Sequence, residues 1–143
     1  MIIMKNKKLT IGISLRVVGN TDYNEKRDAL SQDWSKFFEK LEINPLLIPN
    51  TIKNVSEFLE DMQVQGLFLS GGDNVGDNQD RDITEQKIID YCLEKKIPLI
   101  GICRGMQVIN TFFGGKIETL ENSKHVGDPH LVSLNKSIAE LLH

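Results

Sequence analysis

The chain has 143 residues, a formal net charge of −3 and 40% apolar residues, a profile that fits one soluble globular domain long enough to bury a core. This balance lacks the basic footprint of a nucleic-acid binder, and no apolar run reaches the length of a membrane span. Two cysteines, Cys92 and Cys103, make no disulfide framework, and "MIIMKNKK" puts its apolar residues before its charges, the reverse of a signal peptide. A cytoplasmic protein with reduced thiols is expected.

In chain order, "LTIGISL" (9–15) alternates and is rich in β-branched residues, which predicts a strand. "RVVGNTDYNEK" reads as a polar loop. From Arg27 to Leu41, the side chains of Leu30, Trp34, Phe37, Phe38 and Leu41 recur at helical spacing. "PLLIP" (45–49) is a short buried-type strand. Asn54 can cap a helix over Val55 to Met62, with Phe58, Leu59 and Met62 on one side. "GLFLS" (66–70) is again a strand, and "GGDNVGDNQD" a loop. Asp82 to Lys95 reads as a helix with Ile83, Ile88, Ile89 and Leu93 inward and Lys95 and Lys96 at its C-terminal end. "PLIGI" (98–102) is a strand, and Arg104 to Phe113 a helix stopped by Gly114 and Gly115. "KIETL" (116–120) is a candidate further strand. Near-continuously apolar strands separated by helices predict an α/β fold, a parallel sheet with helices on both faces. No internal repeat, low-complexity tract or linker interrupts it.

In such sheets ligands sit at the carboxyl ends of the strands, and two unusual loops leave from there. "GICRG" places glycines two residues either side of Cys103, the spacing of a nucleophile elbow. The strand-to-helix turn is too tight for side chains at those positions, so Gly101 and Gly105 are needed, and the nucleophile is pushed out above the sheet. A helix N-terminus beneath a thiol favours the thiolate. The N–H of Arg104, which opens the helix, is left to donate to an oxyanion. The plainer alternative is a small buried cysteine in a βα turn. "LFLSGGD" sets Gly71 and Gly72 just past another strand end, where N–H groups unshielded by a Cβ could complete an oxyanion hole.

"LSGGDNV" followed by "RDITEQKIIDYCLEKKIPLIGICRGMQVINTFFGG" resembles the class I glutamine amidotransferase superfamily. The arginine after the cysteine and the preceding "RD…E" helix look most like its γ-glutamyl hydrolase branch, the peptidase C26 group that includes γ-glutamyl-γ-aminobutyrate hydrolases. The resemblance implies a flavodoxin-like three-layer sandwich with a mostly parallel central sheet. It also implies that Cys103 attacks a γ-glutamyl carbonyl to form a thioester, that the N–H groups of Arg104 and of Gly72 (or Gly71) hold the oxyanion, and that Gln107 lies beside the glutamyl substrate. The amine leaving group is left open, a γ-glutamyl amine or a γ-glutamyl nucleotide phosphoramidate. Asp73 and Asn74 fall where the crevice should be, although turn formation is the commoner task of such residues. Helix capping and ion pairing are expected of Arg81, Asp82 and Glu85.

The chain departs from the family pattern in one respect. The family completes its catalytic set with a late H-x-E segment, and no such motif occurs here. His125, His130 and His143 match no general-base position. The expectation is therefore a domain spanning 1–143 but lacking its C-terminal part, with apolar residues of the strands at 98–102 and 116–120 and of Met106, Ile109 and Phe113 left open. A second copy or a partner subunit would cover the incomplete sheet. Two other functions stay open: a glutaminase subunit supplying ammonia to a synthetase, and a catalytically incomplete relative that binds a ligand. No cofactor is expected, and the Cys and His spacings fit no metal pattern.

Overall fold

A computed structural model describes residues 8–19, 22–118 and 131. In chain order the elements are β1 (Thr10–Ser14), β2 (Arg16–Gly19), β3 (Lys26–Ala29), α1 (Gln32–Lys40), β4 (Asn44–Ile48), α2 (Val55–Asp61), β5 (Gly66–Leu69), α3 (Gln79–Lys95), β6 (Leu99–Gly101) and α4 (Arg104–Phe112). The central sheet is parallel, in the order β4-β1-β5-β6.

Strand alternation decides which helix covers which face. Along β5, Phe68 points to one side, where it meets Ile13 and Phe38 of α1. Leu67 and Leu69 point to the other, where they pack with Leu59 of α2, Ile88 and Ile89 of α3 and Val108 of α4. The result is a three-layer α/β sandwich, as expected, with α1 on one face and the remaining helices on the other. In β1 the second face carries Gly12 and Ser14. A Cβ on Gly12 would lie 2.5 Å from Leu67 Cδ2, so a side chain there would have to push the tip of that leucine aside. Ser14 donates from Oγ to Glu85 of α3, 2.7 Å away, and begins the polar cluster described below.

Several elements differ from the sequence expectation. "RVVGNTDYNEK" is not wholly a loop: it begins in β2 and ends in β3, which pair antiparallel, Arg16 opposite Ala29 and Gly19 opposite Lys26. Its second strand is charged and mostly exposed, so it carries no apolar alternation to read. It is held instead by Asp28, whose carboxylate accepts from Asn50 N at 2.9 Å and Asn50 Nδ2 at 2.7 Å. For the same reason α1 starts at Gln32 rather than Arg27, with Ser31 as its N-cap. Asn54 does cap α2, accepting from Glu57 N at 3.2 Å. In α3, Ile83 and Leu93 are exposed while Arg81, Thr84, Glu85, Ile88, Ile89 and Cys92 are buried. Its inward face is therefore polar at one end. Residues 116–118 carry no strand; the rest of that candidate strand and His125, His130 and His143 lie outside the described residues.

At the β6 side, Ile100, Ile102, Met106 and Phe113 are exposed and Ile109 is half-buried. Among the described residues no helix is long and apolar enough to cross a membrane.

Phe38 is 1% exposed, stacks on Trp34 and meets Phe68 edge-on, whereas Phe37 is 41% exposed. Phe38→Ala is expected to cost about 3–5 kcal/mol, and Phe37→Ala less than half of that. Urea unfolding of both variants checks the ranking.

Candidate active site

Between the end of β6 and the start of α4 stand only Ile102 and Cys103. Cys103 has φ 54° and ψ −110°, a left-handed conformation that costs a non-glycine residue ~1–3 kcal/mol and persists only where its surroundings over-determine it. They do so here. Ile102 N donates to Leu69 O at 2.9 Å, Gly105 N to Ile102 O at 3.0 Å and Met106 N to Cys103 O at 3.1 Å. The two glycines are sterically obligatory. A Cβ on Gly101 would sit 2.5 Å from the carbonyl of Gly105, and one on Gly105 would sit 2.2 Å from Leu69 O. With the first turn of α4 pressed onto β5 and β6, the thiol of Cys103 is exposed, the arrangement that the "GICRG" spacing predicts.

The second loop lies alongside. A Cβ built on Gly71 would stand 3.3 Å from Cys103 Cβ and 3.9 Å from its Sγ, so the Gly71–Gly72 backbone runs past the thiol. Gly72 has φ +118°, which a side chain would strain. Its other neighbours are Arg16 and Arg81. A recess of about 190 Å³ lined by Arg16, Ser31, Trp34, Ser70, Gly71 and Gly72 opens on this side.

Beneath both loops lies a cluster of buried charges. Arg81 and Glu85 are each 0% exposed and Arg104 is 1% exposed. Arg81 Nε donates to Glu85 Oε1 at 3.0 Å, its Nη1 to Asp73 Oδ2 at 3.2 Å, and its Nη2 to the carbonyls of Ser70 and Gly71 at 2.9 and 3.0 Å. Arg104 donates from Nη1 to Glu85 Oε2 and from Nη2 to Asp82. Ser14 Oγ adds a hydrogen bond to Glu85 and accepts one from Ser70 N at 3.0 Å. Burial alone would raise the pKa of Asp73, but hydrogen bonds from Val17 N–H and the Arg81 guanidinium outweigh it, and the carboxyl titrates below its ordinary value. Arg16 stands at 3.8 Å from the same carboxylate.

The structure thus brings Cys103, Gly71, Gly72 and Arg104 into one place. Arg104 is buried: its side chain runs inward to Glu85 and Asp82, and its N–H has no partner among the described residues. Gln107 is half-buried in the first turn of α4. Asn74 forms a turn, its N–H and Nδ2 both donating to Asp77. Arg81, Asp82 and Glu85 do form ion pairs, as expected, but with Arg81 and Glu85 as the buried floor of the site and Asp82 part-exposed at its edge. A signal for this existed. The stripe through Ile88, Ile89 and Cys92, continued backwards at helical spacing, lands on Glu85, Thr84 and Arg81.

The peptidase C26 family model matches residues 10–137. The chain belongs to the peptidase C26 family. It is a hydrolase/amidotransferase-like enzyme of that family. It is similar to the γ-glutamyl-CDP-amidate hydrolase of Campylobacter jejuni, 36% identical over 141 residues that cover 93% of this chain and 69% of that protein. It is also similar to a glutamine-hydrolyzing GMP synthase of Listeria monocytogenes, 33% identical over 66% of this chain and 18% of that protein. One subunit of the glutamine-hydrolyzing GMP synthase of Methanococcus aeolicus is 31% identical over 59% of this chain and 41% of that protein.

The two thiols are expected to differ sharply. Cys92 is 4% exposed, and burial pushes its pKa up to about 11, so it stays a protonated, inaccessible thiol well into the alkaline range. Iodoacetamide between about pH 7 and 9 should alkylate Cys103 and leave Cys92 unmodified until the chain is denatured. Mass mapping reads this, and equal labelling of both in the folded chain would contradict it. Gly105→Ala, which sets a Cβ against backbone, should lower stability by ~2 kcal/mol or more, measured by thermal unfolding.

Proposed function

We propose that Cys103 is the nucleophile of a γ-glutamyl amide hydrolase. The thiolate attacks the γ-carbonyl carbon, a C–S bond forms, and the carbonyl oxygen becomes an oxyanion held by the N–H groups of Arg104 and Gly72 (or Gly71). Collapse breaks the C–N bond; the amine leaves with a proton, and the γ-glutamyl thioester remains. Water then adds to the thioester carbonyl and releases glutamate and the thiol. Gln107 contacts the glutamyl group, and the recess beside Gly71 and Gly72 receives the substrate. The single observation that carries this reading is the strained, exposed Cys103 on its two-glycine elbow with Gly71 against its Sγ.

A γ-glutamyl amine or a γ-glutamyl nucleotide phosphoramidate is the proposed substrate class. The relative named a γ-glutamyl-CDP-amidate hydrolase favours it, because its similarity covers nearly the whole chain, whereas that of the two GMP synthase relatives covers 66% and 59%. Those synthase relatives support the second reading, a glutaminase that delivers ammonia to a partner subunit. The described residues contain no histidine, so their geometry speaks to acylation of the thiol. Proton transfer in releasing the amine and in hydrolysis would add a contribution of ~10²–10⁴ in rate.

The test is intact-mass measurement after mixing the chain with a γ-glutamyl amide and quenching in acid. A gain of one γ-glutamyl group on the wild type, absent from Cys103→Ala and unchanged in Cys92→Ala, is expected. Acylation that survives Cys103→Ala would refute the assignment.

A further inference from the structure

The oxyanion hole proposed above draws one donor from the Gly71–Gly72 pair, taken here as the N–H of Gly72, but two consecutive glycines have the loosest backbone a chain can offer. An electrostatic trap works only if its donors already point at the charge before it develops. Something outside the loop must therefore hold the Gly71–Gly72 peptide. We propose that Arg81 is the positioning residue of the oxyanion hole: its buried guanidinium grips the carbonyl side of the glycine loop and so orients and polarises the Gly72 N–H. This rests on the acyl-transfer reading of Cys103.

The guanidinium's bonds divide by purpose. Nε and Nη1 meet carboxylates, Glu85 at 3.0 Å and Asp73 at 3.2 Å. Those two bonds would suffice to neutralise the buried charge. Nη2 instead donates to main-chain oxygens of consecutive peptide units, Ser70 O at 2.9 Å and Gly71 O at 3.0 Å, with Ser70 Oγ at 3.1 Å. A trans peptide is planar, with its C=O and N–H pointing opposite ways. Gripping Gly71 O from inside the protein therefore aims the N–H of Gly72 away from Arg81. The side chain is 0% exposed, so water does not compete for these bonds. A cationic donor on a carbonyl also draws charge along the amide and makes its N–H a stronger donor.

The same device spans both halves of the hole. Glu85 holds Arg81 through one carboxylate oxygen and Arg104 through the other. Arg81 grips the loop that carries the Gly72 donor; Arg104 owns the second donor in its own backbone. Glu85 thereby ties together the two main-chain segments whose N–H groups must converge on one oxygen atom.

The test runs two reactions of Cys103 side by side in the wild type, in Arg81→Lys and in Glu85→Gln. Lysine keeps the charge but loses the fork that reaches two carbonyls; glutamine keeps the shape of Glu85 without its charge. Acylation by the γ-p-nitrophenyl ester of glutamate is read as a burst of p-nitrophenolate, which departs without needing a proton donor. Alkylation by iodoacetamide attacks a saturated carbon and passes through no oxyanion. Removing one oxyanion donor outright costs ~10²–10³ in rate, so a donor left in place but badly aimed should slow acylation about 10- to 100-fold, with alkylation changed less than about twofold. Unaltered acylation, or a parallel fall in both reactions, in either variant that folds overturns the role of Arg81. A wild type with no burst, or a burst that survives Cys103→Ala, overturns the acyl-transfer reading itself and the role with it.

Discussion

Glu85 is a carboxylate with no access to solvent, and the site is assembled around it. An ion taken out of water carries a penalty of several kcal/mol unless its partners are close and its lone pairs are used. Here the partners are close: Arg81, Arg104 and Ser14 all donate to it. These partners come from α3 itself, from the first residue of α4 and from the end of β1. One side chain therefore fastens a helix from each of the two βα units that bear the loops, and the strand between β4 and β5, at the carboxyl ends of the strands where this architecture places its ligands.

Magnitudes explain why this cluster, rather than the apolar stripe, decides how α3 sits. The N-cap of α3, Asn78, whose Oδ1 accepts from Arg81 N at 3.3 Å, contributes ~1 kcal/mol, and burying Ile83 would contribute ~1.5–3 kcal/mol. Leaving a buried charge without its partner costs about 3–5 kcal/mol. Rotating α3 to bury Ile83 would break Arg81 and Glu85 away from Asp73, Arg104 and Ser14, so the helix exposes the isoleucine and keeps the ions.

The two loops are strained in complementary ways. At Cys103 the strain is conformational: a β-carbon held at positive φ by a tight turn that Gly101 and Gly105 make passable. At Gly72 the backbone would be free to relax, and fixation comes from outside, through Arg81 and through Asp73, which accepts from Val17 N at 3.2 Å. That last bond couples the β2–β3 hairpin to the glycine loop, and Arg16 and Ala29 of the hairpin help to wall the recess beside Gly71 and Gly72.

Local signals in the sequence determined a good deal. The elements of the central sheet, the Asn54 cap, the elbow at Cys103 and the paired glycines past β5 are written in short stretches, because each depends on neighbours within a few residues: alternation, a capping oxygen, a clash that only glycine avoids. The resemblance to the amidotransferase superfamily drew on the same stretches. The β2–β3 hairpin and the inward face of α3 were decided only by the tertiary structure. Lys26–Ala29 is a charged strand whose anchor, Asn50, lies more than 20 positions away. Arg81 and Glu85 read as capping and ion-pairing residues, and their burial has a partner only once Arg104, 19 positions beyond Glu85, is folded against them. A charge is stable in the interior only when an opposite charge from elsewhere in the chain reaches it, and no local pattern specifies which one will.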